Sequence, residues 1–329
     1  MEQTFKDFEI CISDDCSTDG RQDELTHFLE DSGLNYSYER QHTNLRYDAN
    51  LRASITMAKG RYIFLLGNDD ALADKMVLEE IFNQIQISGL VGVVITNYES
   101  RSNKNQFRRI TRAGLLGSGP KTAMDHFRNF SFVSGIVLET SAAQRHATSR
   151  WDGSEMYQMF LGCRIIAEGL PLLGIDKVMI SEGIKIEGEE VDSYKARPKL
   201  ASCPIQERNI PLNLFGRVAV DAVIPFVLAS QKNQLIENIL NQYIFFTYAY
   251  WIIEYRRVQS WRFAVGICLG MRPRNIFKEI PLGFLTRFKL CLNYFFVTCF
   301  GLLIPIFIFD IFKPILYRIA KQGVLVEGL

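Results

Sequence analysis

The tightest constraint on this 329-residue chain is an apolar run that ends in acid. Ile63-Phe64-Leu65-Leu66 carries no polar side chain, the pattern of a short strand buried on both faces, and after Gly67 it runs into Asn68-Asp69-Asp70. Adjacent carboxylates at the end of a buried strand oppose folding, because like charges repel and desolvation disfavours the ionised form. A fold that keeps them opens at that strand end onto solvent, a cation or a ligand.

The flanking sequence narrows the folds that do so. Phe8 to Ser13 is a β-rich run ending in a second acidic pair, Asp14-Asp15. A helix follows, with Leu25, Phe28 and Leu29 at helical spacing. Leu34 to Tyr38 alternates as a strand, and Asp48 to Ala58 predicts a helix stopped near Gly60. Residues 74–87 predict another amphipathic helix and Leu90 to Thr96 another strand. Such alternation predicts an open, mostly parallel α/β sheet flanked by helices, with ligands at the carboxyl ends of its strands. Both acidic pairs fall at such ends. Paired carboxylates there suit Mg²⁺ or Mn²⁺, whose coordination substrate phosphate oxygens complete. The carboxylates by themselves equally admit a nucleotidyltransferase or a phosphohydrolase.

Further along, Ser100 to Gly119 predicts a loop or irregular hairpin, Phe132 to Leu138 a strand, Met156 to Ala167 a helix, and Lys177 to Ile186 one or two strands. Pro198, Pro204 and Pro211 mark a linker, after which the chain is apolar and helical. This divides the molecule into a body at 1–195, a linker at 196–212 and a helical region at 213–329. The seven cysteines form no C-x-x-C pair, which fits reduced thiols in a cytosol-facing protein.

Three blocks in the body resemble family 2 glycosyltransferases. Phe5 to Ile10 followed by Ser13-Asp14-Asp15-Cys16-Ser17-Thr18-Asp19-Gly20 is similar to the family's "DFEIIVVDDGSTDG" segment. Asn44-Leu45 with Asn50 resembles its "N-x-G…N" helix start, and Ala58 to Ile63 with Gly67 to Asp70 resembles its "A-x-G-x-Y-I…D-D-D" element. They occur in the family's order and spacing across residues 4–100. The resemblance implies a GT-A fold, most similar to the enzymes that extend bacterial surface polysaccharides such as O-antigen.

Family roles then transfer by position. Asp15, with Asp14 beside it, is implied to bind the nucleotide base and ribose, with Asn44, Arg46 and Asn50 in the same segment. Asp70 and Asp69 are implied to hold the metal and the diphosphate of a nucleotide-diphospho-sugar. An inverting transfer also needs a base for the acceptor hydroxyl. In the family it is a carboxylate near the start of a later helix, which points to Glu155 or Asp152. Plain helix capping competes for this pair: Asp152 with Glu155 three positions on is close to a capping box. Glu155 is the preferred base because Asp152 makes the better cap.

Three departures from the family pattern stand out. The first strand and helix, with a "P-T-Y-N" nucleotide-binding segment, are expected before Phe5 and are absent, which leaves an exposed hydrogen-bonding row on the sheet. Asn68 stands where an Asp is common, and Arg46 replaces a turn glycine. A truncated, non-catalytic homologue, serving as a membrane-associated scaffold or without function, is therefore the alternative to an active enzyme.

Charge separates the two parts of the chain. Residues 1–240 hold 26 Lys+Arg and 32 Asp+Glu, a net of −6, whereas 241–329 hold 11 and 4, a net of +7. The total near zero gives no case for nucleic-acid binding. Leu290 to Phe309 is free of charge and flanked by basic residues, which predicts contact with an anionic membrane. The sequence leaves open whether that segment spans the bilayer or lies in it. The expected setting is the cytoplasmic face of the bacterial inner membrane, with a lipid-linked glycan as acceptor.

Overall fold

The computed structural model describes residues 2–101, 104–183 and 212–322. The predicted linker falls outside them. In the body the order is β1 (Glu9–Asp14), α1 (Gln22–Asp31), β2 (Asn35–Arg40), α2 (Arg46–Met57), β3 (Tyr62–Leu65), β4 (Asp70–Leu72), α3 (Val77–Ser88) and β5 (Val93–Ser100). There follow β6 (Gln106–Phe107), β7 (Gly114–Gly117), α4 (Gly119–His126), β8 (Ile136–Glu139), α5 (Thr140–Arg145), α6 (Tyr157–Glu168) and β9 (Leu172–Glu182).

These strands make two sheets. β1 and β2 pair in parallel, Glu9 opposite Asn35 through Asp14 opposite Arg40. The larger sheet runs β3-β8-β5-β9-β4, with β6 on β5 and β7 on β9. Within it only β5 and β9 are parallel; β3–β8, β5–β8, β4–β9, β5–β6 and β7–β9 are antiparallel. The expectation of a mostly parallel sheet is thus corrected to a mixed one. β8 inserts between β3 and β5 and opposes both, β4 and β7 oppose β9, and β6 opposes β5. Among the described residues, the second edges of β1 and β3 carry no ladder partner. Being an edge strand also corrects the reading of the apolar run: Leu65 is buried, but Ile63 and Phe64 are half-exposed and Leu66 is exposed.

The helical region contains α7 (Leu212–Val223), α8 (Lys232–Gln242), α9 (Ala249–Val258), α10 (Trp261–Gly270), α11 (Pro273–Ile276), α12 (Phe284–Leu303) and α13 (Ile306–Gln322). A π-helical turn at Tyr243–Tyr248 joins α8 to α9. One apolar core runs without a break from Ile55 and Leu65 through α6 and α7 to Leu290 and Val297. Trp151 of the body donates from Nε1 to Asp221 on α7 at 2.9 Å, and Arg164 on α6 donates to the Asp221 carbonyl. The first helices of the tail therefore cover the body's α6 face.

The uncharged stretch 290–309 is not one element. α12 ends at Leu303, and Pro305, which cannot continue the hydrogen-bond ladder, separates it from α13. Among the described residues no helix is long and apolar enough to cross a membrane.

Candidate functional site

Three groups of side chains make up the candidate site, and helix α2 ties two of them together. The first lies where β1 ends. Asp14 accepts hydrogen bonds from Ser17 N at 2.8 Å and Tyr38 Oη at 2.9 Å, with Arg40 at 3.7 Å. Burial works to raise its pKa, but those hydrogen bonds and the Arg40 charge hold the carboxyl below the usual Asp value. Asp15 accepts from the backbone N–H of Leu45 and Arg46, the latter at 3.0 Å, so its carboxylate caps the amino end of α2. Asn44 Oδ1 shares the Arg46 N–H at 3.1 Å. Arg46 itself sits at φ +65°, the left-handed conformation that a turn glycine adopts freely. Asn50 uses both ends of its amide on Ser13, donating to the carbonyl at 3.0 Å and accepting from Oγ at 2.6 Å. Its role in this arrangement is to lock α2 onto β1.

The second group lies where the chain turns from β3 into β4. Asp70 is buried at 6% exposure and accepts from Ser134 Oγ at 2.5 Å and Gly183 N at 3.3 Å. Burial raises its pKa above the usual Asp value, and neighbouring Asp69 adds to the rise against the hydrogen bond from Ser134. Glu182, the cross-strand partner of Asp70, is raised for the same reasons: burial first, then the charges of Asp70 and Asp69. A third carboxylate thus joins the two read from sequence. Among the described residues, no three His, Cys, Asp or Glu side chains converge as a complete metal cage.

The wall behind Asp70 is set by Arg109. Its guanidinium is 1% exposed and donates to the carbonyls of Thr96, Phe132 and Ser134 at 2.9, 2.7 and 2.8 Å. It also lies 5.4 Å from the Tyr98 and Phe132 ring centres. Next to Ser134, Gly135 has φ +79°, and an added Cβ would meet Thr96 Oγ1 at 2.3 Å. This position admits only glycine, and the turn it makes aims Ser134 at Asp70.

The third group is the segment before α6. Asp152 does not cap that helix. It is taken by Arg52 of α2 in a two-pronged ion pair, one prong at 2.9 Å. The capping is done instead by Asp48 of α2, 1% exposed, which accepts from Glu155 N at 2.8 Å and Tyr157 N at 3.1 Å. Burial raises the Asp48 pKa against those bonds. Glu155 sits at φ +59°, a conformation that costs a non-glycine residue ~1–3 kcal/mol and clusters at functional sites. Trp151 and Tyr157, the aromatic neighbours, are buried core residues.

The first group is carried by the β1–β2 pair and the second by the larger sheet, so no single strand ladder holds both. α2 reaches from the first to the third: Asp15 grips its amino end, Asn50 holds β1, and Asp48 and Arg52 hold the Glu155 segment. Sequence reasoning missed Asp48, Arg52, Arg109, Ser134 and Glu182. The one signal available was the Asp48-x-x-x-Arg52 spacing, which places two charges on one helix face. A recess of about 320 Å³ lined by Lys59, Gly60, Arg61 and Glu139 lies at the opposite end of β3, away from these carboxylates.

Comparison with known proteins bears on what such a site serves. Residues 1–145 match the model of glycosyl transferase family 2. Abequosyltransferase RfbV of Salmonella typhimurium strain LT2 is 42% identical over 67 residues, a stretch covering 20% of this chain and 20% of that protein. The chain therefore matches about a fifth of that curated relative's length. Among solved structures, S. aureus TarS 1–349 in complex with UDP-GlcNAc superposes with a TM-score of 0.58 at 15% identity, covering 91% of this chain and 84% of that one. The UDP complex of TarS 1–349 gives the same score and coverage at 14% identity. At that identity the likeness is one of fold, a mixed sheet flanked by helices in the GT-A manner.

Proposed function

We propose that this chain, whose residues 1–145 match the model of glycosyl transferase family 2, moves a sugar from a nucleotide-diphospho-sugar to a hydroxyl of a lipid-linked glycan. The setting proposed is surface-polysaccharide synthesis at the cytoplasmic face of a bacterial inner membrane. The observation that carries the reading is the family match laid over two acidic strand ends, Asp15 after β1 and Asp70 after β3. The local match to an abequosyltransferase supports a surface-glycan role, and the TarS complexes with UDP-GlcNAc and UDP support a nucleotide-sugar donor.

The residues present fit a divalent cation. Burial raises the proton affinity of Asp70 and of Glu182, the Asp69 charge adds to both and the Asp70 charge to Glu182, a cost that a cation relieves. Asp70, with Asp69 beside it, would hold Mg²⁺ or Mn²⁺, which supplies charge neutralisation for the departing diphosphate. Asp14 and Asp15 would face the nucleoside. Glu155 is the proposed general base of an inverting transfer, because Asp152 is committed to Arg52 and Asp48 has taken over the capping.

One observation favours a second reading, a non-catalytic homologue: among the described residues no strand ladder joins the β1–β2 pair, which carries Asp14 and Asp15, to the larger sheet, which carries Asp70. A nucleotide-sugar panel decides between the two. With Mn²⁺ and a lipid-linked acceptor, at least one UDP-, GDP-, CDP- or TDP-sugar should release its nucleoside diphosphate, and Glu155→Gln should stop release while nucleotide still binds. If a folded sample binds no nucleotide, the transferase reading falls. If Asp152→Asn stops transfer and Glu155→Gln does not, the assignment of the base is wrong.

A further inference from the structure

The helical region leaves one face uncovered, and its composition identifies the partner. On α12 the exposed side chains include Phe284, Phe288, Phe295, Phe296, Phe300 and Leu303, which fall within an arc of about 160° on a helix of 3.6 residues per turn. Leu290, Val297 and Gly301 lie on the opposite side and are buried; Gly301 packs closely against Ile252 of α9. Past Pro305, α13 exposes Phe307, Ile311 and Ile315, one helical turn apart. With Phe312, seven phenylalanines on these two helices are each more than half exposed. At roughly 200 Å² per ring side chain they alone leave on the order of 700 Å² of apolar surface. The largest patch on an ordinary monomer is ~300–600 Å².

The border of this face is basic. Residues 259–309 hold six Lys+Arg and one acid, Glu279, which pairs with Arg217. Arg262, Arg272, Arg274 and Arg287 are exposed, and none is ion-paired among the described residues. Trp261, 54% exposed, donates from Nε1 to the Leu302 carbonyl at 3.1 Å, which sets an indole beside the carboxyl end of α12. An apolar stripe with a cationic rim and an indole at its edge is the pattern of a helix lying in the plane of a membrane interface. A symmetric contact with a second copy would oppose like charge to like charge, whereas anionic lipid headgroups attract it.

We propose that α12 and α13 lie in the plane of an anionic bilayer and sink their shared phenylalanine face to the headgroup–acyl boundary, holding the carboxylate site at the membrane surface. This rests on the reading of a lipid-linked acceptor and specifies how the chain reaches it. The opposite face of α12 is packed on α9, and a break at Ile304 and Pro305 divides the stretch, so the pair lies on the bilayer instead of crossing it.

The test is vesicle co-sedimentation of the full chain. Phosphatidylcholine vesicles with about a quarter phosphatidylglycerol should capture it at least ten-fold better than pure phosphatidylcholine. Combining Phe288→Glu, Phe295→Glu and Phe307→Glu should abolish capture, with an unchanged circular dichroism spectrum. Arg262→Gln with Arg287→Gln should lose the preference for anionic lipid. In the unaltered protein, lipids brominated near the headgroup should quench tryptophan emission more than lipids brominated at the chain ends. A lipid-free dimer that the triple variant dissociates, with no vesicle capture, would overturn the proposal in favour of a second copy. Asp70→Ala separates the two readings: it should still sediment with vesicles. Capture lost with nucleotide binding intact sinks the membrane face alone, and the converse sinks the transferase reading alone.

Discussion

The body and the tail solve opposite surface problems. Residues up to Glu182 bury their apolar side chains between sheet and helices and collect charge at strand ends, where Asp70 and Glu182 are forced to share a poorly solvated rim. The tail shares that apolar core on one side but leaves its other side greasy and its charge mostly positive. Each region keeps an arrangement that costs stability when isolated. In the body a cation and a diphosphate would relieve it, and in the tail a lipid surface would. The lesson is that unfavourable features point to ligands when they are concentrated and held in place by otherwise complete packing.

The largest expected effect lies in the body. Glu155→Gln should lower transfer by roughly 10²–10⁴-fold with nucleotide affinity unchanged, as loss of a general base does; steady-state kinetics alongside direct nucleotide binding reads it. Equal loss of both would reduce Glu155 to a binding or structural residue.

Next comes the bridge between the groups. Asp48→Ala leaves the Glu155 and Tyr157 N–H groups without their acceptor in a buried place, and should cost about 2–3 kcal/mol by urea unfolding. Asp48→Asn keeps an acceptor and should restore most of that. If both variants match the wild type, α2 does not support the Glu155 segment.

Smaller effects sharpen the contrast further. Burial raises the Asp70 pKa, so its ionisation opposes folding, and this group's contribution to stability falls as pH rises from the ordinary Asp value through the raised one. Without cation, Asp70→Asn should therefore raise the melting temperature at neutral pH and have little effect in acid. With Mn²⁺ the order should reverse, because the cation stabilises only the ionised wild type. Arg46→Gly should be stabilising by about 1 kcal/mol, since it removes left-handed strain at a residue whose side chain makes no polar contact among the described residues. A destabilised Arg46→Gly would show instead that the guanidinium holds the turn.

Local pattern carried much of this into the sequence. The 3.6-residue spacing of Val77, Ile81 and Ile85 marks α3, and the alternation around Tyr36 and Tyr38 marks β2. Arg46 stands at a turn-glycine position in the sequence, and the structure places it at positive φ. What stayed hidden depends on partners distant in sequence. Asp48 reads as an ordinary helical residue until Glu155, more than a hundred positions away, supplies the N–H it accepts. Glu182 joins the site only through the antiparallel register of β4 with β9. The directions of β4, β6, β7 and β8 also have no local signature, and together they turn an expected parallel sheet into a mixed one. Leu172 to Ile175 escaped as strand because Pro171 and Gly174 punctuate it; Gly174 is required where a Cβ would meet the Arg112 carbonyl at 2.5 Å.

The account rests on one buried carboxylate, Asp70 at the start of β4. Calorimetric titration of the full chain with nucleoside diphosphates in the presence and absence of Mn²⁺, repeated on Asp70→Ala, reads it directly. Binding of at least one nucleoside diphosphate that strengthens with Mn²⁺ and is lost in Asp70→Ala is the predicted result. Binding unaffected by either the cation or the substitution would contradict it.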